Sequence, residues 1–201
     1  MSELESFENI IDSFVHQQVG VSQDFLSADL SKKLRLVLLQ LELDAQLKEA
    51  SIGNQDIKTK DSKIRSDKIY WLDRSHENAH ENQFLDLMDA FVLHLNKTCF
   101  TGITNYEFHF AIYPPGSFYK KHIDQFKSDG SRSLSMIFYL NEQWAEGDGG
   151  ELCLYHKLWK QLIAPRSGLS VLFKSQDVEH EVLKSHKQRL SITGWFKTNT
   201  F

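Results

Sequence analysis

The strongest constraint on the fold is a change in hydrophobic period near Tyr106. From there onward apolar and polar residues alternate, and turn-forming residues recur at short intervals. Alternation with a period of two is typical of strands with one buried face, and such strands at short spacing form sandwiches or barrels. About eight short antiparallel strands make a jelly roll, which we predict for this half. The predicted strands are Tyr106–Tyr113, Leu134–Leu140, Gly150–Tyr155, Gly168–Phe173, His180–Leu183 and Arg189–Lys197.

The first half of the chain has helical spacing instead. Apolar residues recur at three- and four-residue intervals in Leu4–Gln17, Ser27–Glu49 and Asn82–Leu95. Ser27 or Ser31 is a candidate N-cap of the second helix. Helices beside a strand-rich region usually cover one face of a sheet, so we expect these helices to support the jelly roll.

Length and composition predict one mainly β (α+β) domain over residues 1–201. Residues 1–100 would be the helical support and residues 101–201 the jelly-roll core, because no Pro- or Gly-rich linker divides them. A 41% hydrophobic content suffices for a substantial core, and a net charge of −4 disfavours a nucleic-acid partner. No apolar run is long enough to span a membrane, and the acidic, amphipathic start is unlike a secretory signal. We expect a soluble, cytoplasmic protein, with monomer as the default state, and reduced thiols at Cys99 and Cys153.

Three residues have the spacing of a metal site. His122 and Asp124 are separated by one residue, and His180 follows much later in the chain. Each stands where a strand-like run meets a polar loop, which is where a barrel mouth would place a site. Two imidazoles and a carboxylate are the ligands of a facial triad, which holds Fe(II) and leaves coordination positions open. We therefore predict iron at His122, Asp124 and His180.

Arg189, nine residues after His180, indicates that the site binds an organic anion beside the metal. A dicarboxylate that chelates iron at one end has a second carboxylate, which needs a positively charged hydrogen-bond donor. A guanidinium can meet it with two parallel charge-assisted hydrogen bonds. The combination predicts an iron oxygenase that consumes 2-oxoglutarate.

Several motifs in order resemble a known family. They are IRSDKIYWL, YPPGSFYKKHID, SMIFYLNEQW, GGELCLY, and HEV followed by RLSITGWF, within about Val19 to Phe196. In these the chain resembles the 2-oxoglutarate- and Fe(II)-dependent prolyl hydroxylases, in the branch of the hypoxia-inducible-factor enzymes and their bacterial relatives. The resemblance implies a double-stranded β-helix, a jelly roll buttressed by N-terminal helices. It also implies hydroxylation of a prolyl residue in a protein, with release of succinate and carbon dioxide.

The resemblance assigns roles to individual positions. It places the iron ligands at His122, Asp124 and His180, and the grip on the distal carboxylate of 2-oxoglutarate at Arg189. It implies that oxygen is the second cosubstrate, with ascorbate as a candidate reductant. The other positions matching the cosubstrate pocket are Tyr113, Tyr139, Leu152, Thr193 and Trp195.

The resemblance also implies a substrate lid. Ser51–Lys68 is almost wholly polar, which by itself indicates a solvated loop, but it matches a loop that folds over the protein substrate in the family. Arg65, Asp67 and Trp71 match its closing end. Tyr119 and Arg132 are further candidates for substrate binding, and Arg132 is a candidate partner for Asp67.

Other substrates stay open at this point. A nucleic-acid demethylase of the same fold carries a second arginine six residues after the first, where this chain has Trp195. A hydroxylase of a free amino acid or small metabolite is the main alternative, because the triad is silent about substrate size. The lid-like segment favours a protein, for which bacterial relatives suggest elongation factor Tu.

Overall fold

The computed structural model describes residues 2–50, 64–125 and 130–199. Within these ranges the chain forms three α-helices, one short 3-10 helix at Arg74–His76, and eleven strands. The helices are α1 (Glu3–Gln17), α2 (Ala28–Leu43) and α3 (Ala79–Cys99). The strands are β1 (Val19–Ser22), β2 (Lys48–Glu49), β3 (Lys68–Trp71), β4 (Ile103–Tyr113), β5 (Tyr119–His122), β6 (Arg132–Tyr139), β7 (Leu152–Tyr155), β8 (Lys160–Ile163), β9 (Ser170–Lys174), β10 (Glu179–Val182) and β11 (Arg189–Thr198).

Local sequence fixes the start of each helix. Ser2 and Glu5 form a capping box at the start of α1, where each side chain accepts a backbone N–H of the other residue. Ser27 caps α2, which confirms one of the two predicted candidates. Asn78 caps α3 by accepting the N–H groups of His80 and Glu81.

The strands form two antiparallel sheets that agree with the predicted jelly roll. The larger sheet has the order β1-β9-β6-β11-β4-β3-β2, and the smaller one has β5-β10-β7-β8. One face of the larger sheet packs on the helices, and the shared core includes Phe7, Leu34, Phe91, Phe108 and Phe138. The helical support expected from the sequence is therefore confirmed. The opposite face of this sheet is left to face the smaller sheet.

Strand register brings the metal-site residues together. In β11 the residues Arg189, Ser191, Thr193 and Trp195 share one face, because successive side chains alternate between faces. Across the ladder, Arg189 pairs with Tyr113 and Thr193 pairs with His109. In the smaller sheet His180 pairs with His122, so two residues far apart in sequence become direct neighbours.

Several boundaries differ from the sequence prediction. The second helix was predicted to reach Glu49 but ends at Leu43, because Ala45 has a left-handed φ of 54° and the chain then forms β2. Four further strands, β1, β3, β5 and β8, were not predicted. Each has only 4 residues, so alternation alone gives a weak signal. The equally short β7 and β10 were predicted because β7 follows a glycine-rich turn and β10 contains His180. The body of the predicted lid, residues 51–63, lies outside the described residues.

None of the helices in the described ranges combines the length and apolar character needed to cross a membrane.

Candidate active site

Three side chains form a cluster at the mouth between the sheets. His122 ends β5, Asp124 lies two residues beyond it, and His180 lies within β10. One ligand atom from each lies within 4.8 Å of the other two. The carboxylate Oδ1 of Asp124 is 3.3 Å from Nε2 of His122 and 3.5 Å from Nε2 of His180. The three donors therefore converge, as a facial triad requires.

Backbone hydrogen bonds orient both imidazoles. Nδ1 of His122 lies 2.7 Å from the carbonyl oxygen of Lys120, and Nδ1 of His180 lies 3.0 Å from that of Val178. A carbonyl only accepts, so each Nδ1 must donate. The lone pair of a neutral ring is then on Nε2, which faces the cluster. This anchoring of the distant ring nitrogen is typical of metal-ligating histidines.

Asp124 is oriented by a serine pair. Its Oδ2 accepts a hydrogen bond of 2.7 Å from the hydroxyl of Ser135, which in turn lies 2.9 Å from the hydroxyl of Ser175. All three groups are buried. The bond leaves Oδ1 directed at the two histidines, so the carboxylate presents one oxygen to the centre of the cluster.

The electrostatics of the cluster favour a bound cation. Burial by itself raises the pKa of Asp124, but the facing His180 and hydrogen bonds from both histidines hold it well below its usual range. Burial and the charge of His180 lower the pKa of His122. The pKa of His180 is raised despite its burial, because Asp124 lies beside it. A cation would therefore compete with protons for these ligands.

Arg189 lies on the floor of the same cavity, with 3% of its surface exposed. Its Nε donates to the carbonyl of Gly150 at 2.9 Å, and Nη1 donates to the hydroxyl of Ser191 at 3.1 Å. A Cβ at position 150 would lie 3.0 Å from Cδ of Arg189, so glycine permits this close approach. Among the described residues, no carboxylate lies within ion-pair distance of Arg189. A buried, unpaired guanidinium calls for an anionic ligand.

Two of the predicted cosubstrate residues, Tyr113 and Tyr139, lie beside Arg189. The centroids of the Tyr113 and Tyr139 rings lie 4.8 Å and 5.0 Å from its guanidinium carbon. The hydroxyl of Tyr139 is buried and has no hydrogen-bond partner among the described residues, so it is available to donate to a ligand. Burial raises the pKa of both tyrosines, which keeps both hydroxyls protonated. The remaining cosubstrate candidates also line the cavity: Leu152, Thr193 and Trp195.

A stack of three side chains closes one wall of the cavity. The rings of Tyr119 and His122 are stacked with centroids 3.6 Å apart, and the guanidinium of Arg65 lies 4.4 Å from the Tyr119 centroid. Arg65 forms two hydrogen bonds to Asp67, at 2.8 Å and 2.6 Å, and both side chains are largely buried. Of the predicted substrate residues, Tyr119 therefore contacts the ligand cluster directly, through His122, and Arg65 contacts it through the ring of Tyr119.

The other two substrate candidates lie at the rim. Arg132 covers the ring of Trp195 at 3.5 Å, and Trp71 lies 6.4 Å from the same ring with 45% of its surface exposed. Among the described residues, Arg132 forms its ion pair with Glu107, at 2.8 Å, whereas Asp67 binds Arg65. The ion pairs of these two groups in the described residues are thus Arg132 with Glu107 and Asp67 with Arg65, and the pairing of Arg132 with Asp67 stays a prediction.

His109 is a cavity residue that the sequence analysis did not select. It is 97% buried, since only 3% of its surface is exposed. Burial and the nearby Arg65 lower its pKa to about 3, so the ring is neutral near pH 7. No spacing in the sequence pointed to it, because its place opposite Thr193 depends on the register of the β4–β11 ladder.

A wider groove lies elsewhere, between the end of α1 and the β7–β8 hairpin. Its volume is about 1250 Å³ and its wall includes Val15 and Trp159. It contains none of the three clustered ligands. Size alone is therefore a poor guide to the chemistry of this protein.

This combination of jelly roll, His-Asp-His cluster and buried arginine is that of a non-haem iron oxygenase. Residues 108–197 match the profile of the 2OG-Fe(II) oxygenase superfamily. The crystal structure of a prolyl-4-hydroxylase from Pseudomonas putida is 33% identical, with a TM-score of 0.86, over 96% of this chain and 100% of that one.

Two more distant structures share the fold. One is a prolyl hydroxylase from Trichoplax adhaerens in complex with a hypoxia-inducible-factor peptide, with a TM-score of 0.87 and 23% identity over 97% of this chain and 90% of that one. The other is a viral collagen prolyl hydroxylase from Paramecium bursaria Chlorella virus-1 in a 2OG complex. It has a TM-score of 0.61 and 18% identity over 91% of this chain and 97% of that one.

The chain belongs to the 2-oxoglutarate- and Fe(II)-dependent prolyl hydroxylase family. It is accordingly a dioxygenase that uses Fe(II), 2-oxoglutarate and oxygen, as the sequence analysis predicted.

Proposed function

We propose that this enzyme hydroxylates a prolyl residue of a protein or peptide, with iron held by His122, Asp124 and His180 and with 2-oxoglutarate held by Arg189. The similarity to the Pseudomonas putida prolyl-4-hydroxylase supports the prolyl target, because it extends over almost the whole chain. The peptide in the Trichoplax adhaerens complex supports a peptide substrate over a free amino acid.

One observation carries the assignment of the cosubstrate. The guanidinium of Arg189, which is buried and has no carboxylate partner in the part of the chain that the structure describes, lies in the same cavity as a His-Asp-His cluster. A ligand that satisfies both must offer an anion to Arg189 and further oxygen donors to a metal. The dicarboxylate 2-oxoglutarate has both features.

The donor set fits Fe(II), which accepts two imidazoles and one carboxylate in a facial arrangement. With 2-oxoglutarate and oxygen, the iron supplies oxidative chemistry that no side chain has. The chain contributes geometry and shielding. Arg189 and the hydroxyl of Tyr139 bind and orient the cosubstrate anion, while the buried Leu152, in the same apolar cluster as Tyr139, excludes water and so strengthens that ion pair. Trp195 closes the cavity further along β11. No protein residue has to act as a general base.

The proposal is tested by product analysis. Enzyme loaded anaerobically with Fe(II) and 2-oxoglutarate is exposed to air with single purified proline-containing proteins, including elongation factor Tu, or with free L-proline. We expect one protein to stimulate succinate release and to gain one oxygen atom on a proline, as mapped by mass spectrometry. Stimulation by the free amino acid alone, or oxidation on another residue type, would contradict the proposal.

The serine behind Asp124 gives a sharper test of the ligand assignment. We expect Ser135→Ala to weaken Fe(II) affinity by about 10- to 100-fold, as is typical when an outer partner of a metal ligand is removed. The physical reason is that Oδ2 of Asp124 loses its 2.7 Å hydrogen bond and the carboxylate can then rotate. Titration of the apoprotein with Fe(II) under anaerobic conditions measures the change.

Ser175→Ala is the matched control. It removes a buried hydroxyl that contacts Ser135 but leaves the bond between Ser135 and Asp124 in place. We expect its Fe(II) affinity to stay within a few-fold of wild type. Equal losses in the two variants would show that general packing, and not the orientation of Asp124, sets the affinity.

A further inference from the structure

Two unpartnered polar atoms lie on neighbouring rings at the cavity. Nδ1 of His109 and Nε1 of Trp195 are both buried, and neither has a hydrogen-bond partner among the described residues. The ring centroids are 5.5 Å apart, and both residues line the cavity that contains the His-Asp-His cluster. Leaving a buried polar group unpaired costs about 1–3 kcal/mol, so two such groups that line one cavity are available to a water or a ligand that enters it.

The position of His109 separates it from the cosubstrate end of the cavity. It is four residues from Tyr113 along β4, which is about 13 Å at the usual rise of a strand. Tyr113 contacts Arg189, where the proposed cosubstrate anion binds. On its other side His109 packs against the half-exposed Trp71, at 4.9 Å between centroids. His109 therefore lies between Tyr113, which contacts Arg189, and the half-exposed Trp71.

The chemistry of a prolyl residue defines what these atoms would bind. The amide nitrogen of proline carries no hydrogen, so a prolyl unit offers only carbonyl oxygens, which accept. The indole N–H of Trp195 can only donate, and a neutral imidazole donates from one nitrogen. Nδ1 of His109 and Nε1 of Trp195, as two neighbouring donors, are thus complementary to one backbone carbonyl oxygen, which can accept two hydrogen bonds. The low dielectric of the buried wall strengthens both bonds.

Building on the proposed function, we infer that His109 is a positioning residue that donates a hydrogen bond from Nδ1 to a backbone carbonyl of the prolyl substrate, together with Nε1 of Trp195. The pair holds the target carbon over the iron without contacting the iron. Its loss should therefore uncouple 2-oxoglutarate consumption from hydroxylation, because the cosubstrate still reacts while the substrate is misplaced.

The test compares two variants of the holoenzyme. His109→Phe keeps a ring between Trp71 and Trp195 but removes both nitrogens. His109→Asn restores a donor at the same number of bonds from Cβ as Nδ1. The probe is a pool of acetylated, amidated pentapeptides with a central proline and mixed residues elsewhere. The measurements are hydroxyproline formed per succinate released, the KM for the peptide pool, and the KM for 2-oxoglutarate.

We expect His109→Phe to raise the KM for peptide on the order of tenfold, the effect of one lost hydrogen bond, and to lower the hydroxyproline-to-succinate ratio. The KM for 2-oxoglutarate should stay near that of wild type, and His109→Asn should recover most of the coupling. His156→Phe is the control, because His156 also stacks on a tryptophan, Trp159, but away from the cavity.

Three results would overturn the inference. A raised KM for 2-oxoglutarate with unchanged peptide kinetics would place His109 at the cosubstrate. Equal defects in the Phe and Asn variants would show that the ring, and not the hydrogen bond, matters. If wild-type enzyme forms no hydroxyproline from the pool while still binding Fe(II) and 2-oxoglutarate, the prolyl function itself fails, and the carbonyl contact with it.

Discussion

Asp124→Ala should abolish turnover, with a loss on the order of 1000-fold or more. Changing an outer partner of a metal ligand already costs about 10- to 100-fold, and this substitution removes the ligand itself. It also leaves His122 and His180 facing each other without the carboxylate that lies 3.3 Å and 3.5 Å from them. Fe(II) binding by the anaerobic apoprotein and succinate release in air measure the two effects.

Asp12→Ala is a suitable control. Asp12 is exposed on α1, so its substitution removes the same charge at a position away from the cavity. We expect it to bind Fe(II) and turn over like wild type. Thermal unfolding of both variants without metal separates a lost ligand from a lost fold. Normal activity of the Asp124 variant would refute the metal site.

Arg189→Ala should raise the KM for 2-oxoglutarate on the order of 100-fold. Truncating one partner of a buried, hydrogen-bonded ion pair costs roughly 2–5 kcal/mol, and every 1.4 kcal/mol is about tenfold. Fe(II) affinity should change little, because Arg189 contacts Gly150 and Ser191 and none of the three clustered ligands. Succinate release at increasing 2-oxoglutarate concentration gives the KM.

Arg189→Lys is the matched variant, since it keeps the charge but loses the planar fork that meets a carboxylate with two bonds. We expect an intermediate KM. Pyruvate, which lacks the distal carboxylate, provides the second arm: wild type should strongly prefer 2-oxoglutarate, and Arg189→Ala should lose that preference. An unchanged preference would mean that the distal carboxylate is bound elsewhere.

The fold class was predictable from local alternation, and the metal cluster from the place of each ligand where a strand-like run meets a polar loop. Alternation along β4, β6 and β11 is long enough to identify them as strands. The assignment of His122, Asp124 and His180 as ligands does not depend on where the strands begin and end. Strands of 4 residues show too little alternation to be identified by it, so β3 and β5 were missed, whereas the equally short β7 and β10 were found from a neighbouring glycine-rich turn and from His180.

Pairing between side chains was less predictable. Arg132 was a candidate partner for Asp67, but Asp67 binds Arg65, two residues away, and Arg132 binds Glu107, which Lys197 also binds. Only the sheet register reveals the approach of Arg132 and Lys197 to Glu107. His109 was passed over for a similar reason. Its importance depends on Thr193 lying opposite in the ladder and on two tryptophans packing around it, and no spacing in the sequence encodes that arrangement.

The pairing of β5 with β10 has a consequence for folding. β5 is at the edge of the smaller sheet, and its described register to β10 consists of His122 opposite His180 and Tyr119 opposite Val182, with an irregularity between them. An ion bound by both histidines would cross-link this short strand to its neighbour and close a loop of 58 residues. Iron would then also fasten the mouth of the barrel, so that metal supply would govern how long the folded enzyme persists as well as how fast it works.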